Sequence, residues 1–288
     1  MLLAMASFAI EDMFIKSAAE VIPLGFVILG FGSGGAVIYF FMMIKNSDPV
    51  CPPEALSRVM LLRTICEITG RSFFALAIVL TPLSSASAIL QATPLVVVIG
   101  ASLFLNEKVT LSHWIAIFLG FAGVIMIVRP GMASFEPASL CAVISTLGFA
   151  GRDLATRAAS PRLSGAQLGF YGFLVLIAAG LCLTLTSDLP FTVDTTSSIK
   201  ILGAVLFGVI AYSSLTIAMR SGSVSIVAPF RYSRVIFALI LGFFIFDENP
   251  DFFTLAGTAV VVLSGIYILL NKSHVKQVNY KKPQENPG

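Results

Sequence analysis

Apolar runs of about 18–22 residues succeed one another along nearly the whole chain, and each can cross the roughly 30 Å hydrocarbon core of a bilayer. Ten spans are expected, over residues 1–18, 22–44, 59–80, 83–105, 111–128, 137–158, 165–187, 199–219, 223–246 and 252–270. Most connections are short. The longer ones, 45–58 and 187–198, carry the Pro, Ser, Thr and Asp of exposed loops. The first span begins at once, with no basic segment before it and no small-residue cleavage site, so it is read as an uncleaved helix. The pattern predicts an all-α polytopic membrane protein embedded in a lipid bilayer.

Composition agrees. Of 288 residues, 57% are apolar and 11% charged, against roughly 25% charged in a soluble domain. The net charge is +3, and most of the basic excess is in the tail: Lys272, Lys276, Lys281 and Lys282. No basic patch interleaved with aromatics exists, so a nucleic-acid partner is not expected. Cys66, Cys141 and Cys182 lie in apolar runs and read as small hydrophobes, while Cys51 lies in a loop. The only histidines are His113 and His274, and no CxxC is present, so neither a metal nor another cofactor is expected. The stretch 30–35 contains GxGxxG, but it lies inside a span instead of opening a helix after a strand. Gly30 and Gly34 therefore read as a GxxxG packing face, and Gly120/Gly123, Gly165/Gly169 and Gly257 read likewise.

The chain also repeats. Asp12, Lys16 and Glu107 return as Asp153, Arg157 and Glu248, and 153 − 12, 157 − 16 and 248 − 107 all equal 141. Phe8, Ala9 and Ala18 return as Phe149, Ala150 and Ala159. This divides the chain into a first repeat over 1–131, a second over 132–271 and a basic tail over 272–288. Lys45, Arg58, Lys108, Arg162, Arg220 and the tail lysines fall on one side of the bundle. Arg129 and Lys200, with Asp188, Asp194, Asp247, Glu248 and Asp251, fall on the other. The positive-inside rule then makes both termini cytoplasmic. Five spans per copy is an odd number, so the copies enter the bilayer from opposite sides. The expected fold is ten transmembrane helices in two inverted five-helix repeats, with a substrate site between them near the midplane.

Ionisable residues inside spans are the strongest functional signal, because each costs about 2.5–3.5 kcal/mol at a helix centre. At about 1.5 Å per residue, Glu11 and Asp12 lie about 15–17 Å from the cytoplasmic end of their span, and Arg231 and Arg234 about 12 and 17 Å. Arg63, Glu67 and Arg71 lie about 6, 12 and 18 Å deep and share one helix face at i, i+4, i+8. Asp12/Lys16 and Asp153/Arg157 are i, i+4 pairs that read as a gate or as structural latches; Lys16, Arg63 and Arg157 can also snorkel to the interface. Arg231 and Arg234 have no acid within a turn of their own helix and suit a carboxylate or phosphate. The candidate substrate residues are Arg234, Arg231, Tyr232, Arg71, Glu67, Glu11, Gln91 and Arg152. Glu11 is the candidate for proton coupling because its i+4 neighbour is Ile15. Pro94 and Pro229 should kink or break spans four and nine, freeing carbonyls beside Gln91, Thr93 and Tyr232. Trp114 reads as an interfacial anchor.

Two segments resemble the signatures of the drug/metabolite transporter superfamily, EamA type. One runs from Thr93-Pro94 to Glu107, followed by His113-Trp114-Ile115-Ala116, Gly120 and Gly123. The other runs from Ala228-Pro229 through Arg231 and Arg234 to Phe246-Asp247-Glu248, then Gly257 and Gly265. The similarity covers nearly the whole chain. It implies ten helices in two inverted repeats around a central cavity, in a bacterial cytoplasmic membrane, and secondary transport of small metabolites. Members include exporters of amino acids and drugs and importers of riboflavin or S-adenosylmethionine, so the signatures mark the fold and leave the cargo open. Ala116 stands where the pattern has Gly, and Arg152 of copy two stands opposite Glu11 of copy one.

The function expected is alternating-access transport of a small zwitterionic or anionic metabolite, proton-coupled or by exchange, by a monomer or homodimer. A membrane structural or assembly protein would not need so many charges near the midplane. An intramembrane enzyme would need a nucleophile with its base or a metal cluster, and HExxH and GxSxG are both missing.

Overall fold

The computed structural model describes residues 1–104, 111–129, 136–185, 194–221 and 231–270. They form α1 (Leu2–Ala19), α2 (Leu24–Lys45), α3 (Arg58–Leu80), α4 (Leu83–Leu90), α5 (Thr93–Phe104), α6 (Leu111–Val128), α7 (Ser139–Ala158), α8 (Gly165–Leu185), α9 (Thr195–Ser221), α10 (Ser233–Phe246) and α11 (Phe252–Leu270). A 3-10 turn, Pro53–Leu56, precedes α3. Glu107, Lys108, Pro229 and the tail lysines lie outside the described residues, as do the side chains of Arg157 and Arg220.

Helices dominate because lipid offers the backbone no partner, so each N–H and C=O must be satisfied within its own span. Pro23 and Pro82 precede α2 and α4, and Ser57 caps α3 by accepting from the Met60 N–H at 3.3 Å. Span four is two helices. Pro94 lacks an N–H and its ring crowds the carbonyl of residue 90. The chain answers with tight i to i−3 bonds from Gln91 and Ala92 to Ala88 and Ile89, and the Thr93 hydroxyl donates to Leu90 O at 2.6 Å.

Polarity is inverted relative to a water-soluble domain. Phe118, Phe244 and Leu263 are 69%, 74% and 63% exposed, whereas Glu11 is fully buried and Asp12 and Arg63 are each 1% exposed. Only Leu24–Lys45, Gly165–Thr184 and Thr195–Ala218 are, among the described residues, long and apolar enough to qualify singly as membrane spans. Of the other spans, α1, α3, α7 and α10 carry charges and span four is broken, and the bundle must cover these features.

The packing follows the repeat. The first copy supplies α1, α2, α3, α4–α5 and α6, and the second supplies α7, α8, α9, α10 and α11. The main contacts are α2 on α8, α6 on α11, α3 on α7 and α1 on α9. Exchanging the copies maps the first two pairs onto themselves and turns α3·α7 into α9·α1. A two-fold relation between the halves requires this. Gly30 and Gly34 lie against Ile201 and Val205, making their GxxxG a seat for α9. On the α6–α11 seam, a Cβ on Gly123 or Gly257 would lie 2.8 or 2.7 Å from the opposing glycine's carbonyl oxygen.

Candidate functional site

The midplane charges assemble into one buried network. Arg71 of α3 donates to Glu11 of α1 at 2.5 Å and lies 3.7 Å from Glu67 on its own helix. Arg152 of α7 reaches Glu67 at 3.3 Å and Asp153 at 2.9 Å. Arg231 donates to Asp153 at 2.7 Å, and Arg234 to Asp12 at 2.6 Å. Arg63 lies 3.6 Å from Glu67 and bonds to Thr156 and to the Tyr212 hydroxyl. Such charges persist in a low dielectric because each is paired and hydrogen-bonded.

Phenylalanine rings complete the setting. Arg234 lies 4.9 and 5.0 Å from the ring centres of Phe8 and Phe74, Arg152 lies 4.8 Å from Phe149, and Arg71 lies 5.6 Å from Phe8. These contacts favour a cation over the ring face. Phe8 and Phe149 are repeat equivalents, so the match was visible in the sequence although its purpose was not. Tyr212, Thr156 and Phe74 had no signal in the chain alone.

A cavity of about 30 Å³ opens within the network. Its charged lining, among the described residues, is wholly arginine: Arg71, Arg152, Arg231 and Arg234. The four carboxylates stand behind them. Leu90 and Thr93 of the first copy also line it, at the positions equivalent to Arg231 and Arg234, since 231 − 90 and 234 − 93 equal 141. One wall is thus guanidinium and the equivalent wall is neutral. Gln91 lies on the neutral side, and its amide donates to Ser87 O at 3.2 Å. The volume holds a water or two, at about 10–15 Å³ each, so a metabolite requires the helices to part. A larger cavity, about 250 Å³, lies away from these charges beside Ser84, Arg129, Glu248 and Asp251.

Several expectations need correction. Lys16 does not pair with Asp12 one turn earlier. Asp12 is taken by Arg234, while Lys16 reaches Glu248 at 3.0 Å and the Thr81 carbonyl at 2.9 Å. The physical reason is that i, i+4 spacing only brings two side chains within reach, whereas the packed bundle offers Asp12 a guanidinium on α10 and offers Lys16 two acceptors, Thr81 O just past α3 and Glu248 just past α10. Arg63 does not snorkel; it is buried among Thr156, Tyr212 and Glu67. Arg231 and Arg234, with no acid on their own helix, meet Asp153 of α7 and Asp12 of α1. Asp153 pairs with Arg152 and Arg231, and its expected partner Arg157 has its side chain outside the described residues. Tyr232 is buried at the start of α10, next to the arginines in sequence, but is not part of the cavity lining. Among the described residues, no group of three His, Cys, Asp or Glu side chains could hold a metal ion.

The comparison with protein families decides the identity. The description "EamA-like transporter family" fits residues 1–129 and again 137–270. The chain belongs to the EamA-like transporter family. It is 25% identical over 218 residues to an S-adenosylmethionine uptake transporter of Rickettsia bellii, covering 74% of this chain and 73% of the relative. It is 27% identical over 209 residues to a riboflavin transporter of Vibrio cholerae, covering 72% and 70%. A pseudopaline exporter of Pseudomonas aeruginosa is 25% identical over 273 residues, covering 94% of both chains. A solved crystal structure superposes with a TM-score of 0.62 at 16% identity, covering 92% of this chain and 97% of its own, which establishes the fold. This EamA-like protein is therefore a multi-pass membrane transporter of small metabolites, and its named relatives are transporters, not enzymes.

Proposed function

We propose that this transporter moves a small anionic or zwitterionic metabolite by alternating access, with both termini cytoplasmic and the first and second repeats meeting near residue 131. The observation that carries the reading is the central cavity's lining: four arginines and, among the described residues, no carboxylate. Arginine binds carboxylate and phosphate bidentately, so the substrate's anionic end faces Arg231 and Arg234. Its less charged end faces Gln91 and Thr93. Rocking of the inverted halves about this point exposes the site to each side in turn. Glu11 is the protonatable group: it is fully buried, and its Oε2 has no hydrogen-bond partner.

Arg231 is the informative residue to change, because Arg152 remains to compensate Asp153. Arg231→Gln should weaken stabilisation of the purified protein by acidic ligands more than by neutral ones in a thermal-shift screen. Equal weakening for both classes would sink the anion reading. Glu11→Gln should lower transport into proteoliposomes and flatten its pH dependence. An unchanged rate and pH profile would remove the coupling role.

A further inference from the structure

A knot of contacts stands at the inner wall of the larger cavity, on the helix that also reaches the central one. Ser84 and Glu248 stand in the wall of the larger cavity, and Leu90 and Gln91 in that of the central one. Ser84 and Gln91 are two turns, about 10 Å, apart on one side of the broken span. At the knot, Glu248 Oε1 accepts from the Leu83 N–H at 2.6 Å and from Lys16 Nζ at 3.0 Å. Its Oε2 accepts from the Ser84 N–H at 3.0 Å and the Ser84 hydroxyl at 2.8 Å. Lys16 also holds the Thr81 carbonyl. One carboxylate thus joins the ends of α1, α3 and α10 to the start of α4.

The backbone is shaped to deliver it. Asp247 takes a left-handed conformation, φ 50°, which ends α10 and turns the chain back. The Glu248 N–H then donates to Gly242 O at 3.0 Å. A Cβ on Gly242 would lie 2.5 Å from Glu248 Oε2, so the absent side chain makes room for the carboxylate. The elements it joins are those that flank the central site: α1 carries Asp12, α4 leads to Gln91, and α10 carries Arg234, with Arg231 just before its start.

We infer that Glu248, with Lys16 and the start of α4, is the gate between the larger cavity and the central site, closed in this conformation. It deepens the alternating-access reading and is independent of the cargo. Parting α10 from α4 breaks the three contacts from Leu83 and Ser84 at once and opens the larger cavity, as a vestibule, onto the arginines. Under the orientation proposed above, the vestibule is extracellular.

The test uses the full chain with its four cysteines replaced, reconstituted in vesicles of known sidedness. Ser87→Cys, at a fully buried position one turn beyond Ser84, supplies the reporter thiol. A membrane-impermeant thiol reagent added on the vestibule side should label it slowly. Glu248→Gln, Lys16→Met and Gly242→Ala should each raise that rate at least about ten-fold, with no rise from the opposite side. An unchanged rate in the variants that elute as folded monodisperse protein would overturn the gate. So would a rise equal from both sides, since that is general loosening. Labelling needs no substrate, so failure of the anion reading would leave this result standing, and the gate can fail while Arg231 still governs acidic ligands.

Discussion

Arg234 and Asp12 meet at 2.6 Å across 222 residues of chain, with the rings of Phe8 and Phe74 beside the guanidinium. Removing one member of a buried pair strands the other, which costs about 3–5 kcal/mol, whereas apolar replacement of both is often near neutral. Asp12→Leu or Arg234→Met alone should therefore depress the unfolding midpoint of the detergent-purified protein strongly. The double variant should recover much of the loss. Additive losses in thermal unfolding would show that the two residues do not act as a pair.

Glu248 gives a pH prediction. Burial pushes its carboxyl up, but hydrogen bonds from the Ser84 and Leu83 N–H groups and the Ser84 hydroxyl, with the charge of Lys16, more than offset this and hold it below the ordinary value of 4.5. A carboxylate lowered on folding contributes stability that is present above its unfolded value and lost as pH falls through the folded one. Lys16 is the charged group facing it from α1, while α4 presents backbone N–H groups and a hydroxyl. Labelling of the Ser87→Cys reporter from the vestibule side, taken at each pH relative to the same thiol in the denatured protein so that the loss of thiolate cancels, should stay flat from about pH 8 to pH 5 and rise only in stronger acid. A rise between neutrality and pH 5 would contradict it.

Asp251 separates capping from ion pairing. Its side chain accepts from the Thr254 N–H at 2.9 Å and pairs with Arg129, and the Arg129 hydrogen bond leads in lowering its carboxyl to about 2. The side chain is nearly half exposed, so the ion pair itself contributes little. Asp251→Ala should cost about 1 kcal/mol through the lost cap, and Asp251→Asn, which caps equally well, much less. Denaturant titration of the two variants distinguishes them; equal losses would assign the effect to charge.

On the α6–α11 seam, Gly257 has no room for even a methyl group. Gly257→Ala should destabilise by about 1–3 kcal/mol, as overpacking does, and Gly257→Leu should fail to yield monodisperse protein. A Gly257→Leu variant as stable as the parent would mean that the seam is looser than its carbonyl contacts indicate.

The spans and their inversion were legible because hydrocarbon length and backbone satisfaction allow a membrane chain few other patterns. The 141-residue offset went further. It marked Phe8 with Phe149 and Asp12 with Asp153, and all four now stand against arginines. It could not say which arginines. Helical spacing describes one helix, whereas Asp12 found its partner on α10 and Lys16 found Glu248 beyond that helix's end. The break at Pro94 was readable from the proline's missing N–H. That the two ends of α4 face different cavities depends on where α7 and α10 pass, which no local pattern records. Tyr212 holds Arg63 from α9, and its sequence neighbourhood is that of an ordinary apolar span.

The long separations in this network set an order of assembly. The ribosome delivers α1 with Glu11, Asp12 and Lys16 already in place. The partner of Glu11 follows 60 residues later, that of Asp12 after 222 and that of Lys16 after 232. Until α10 enters the bilayer, the first helix must wait beside the translocation machinery or lean on provisional neighbours. A nascent chain interrupted before Ser233 therefore carries half-made pairs in hydrocarbon, a mark by which membrane quality control can tell an unfinished copy from a finished one.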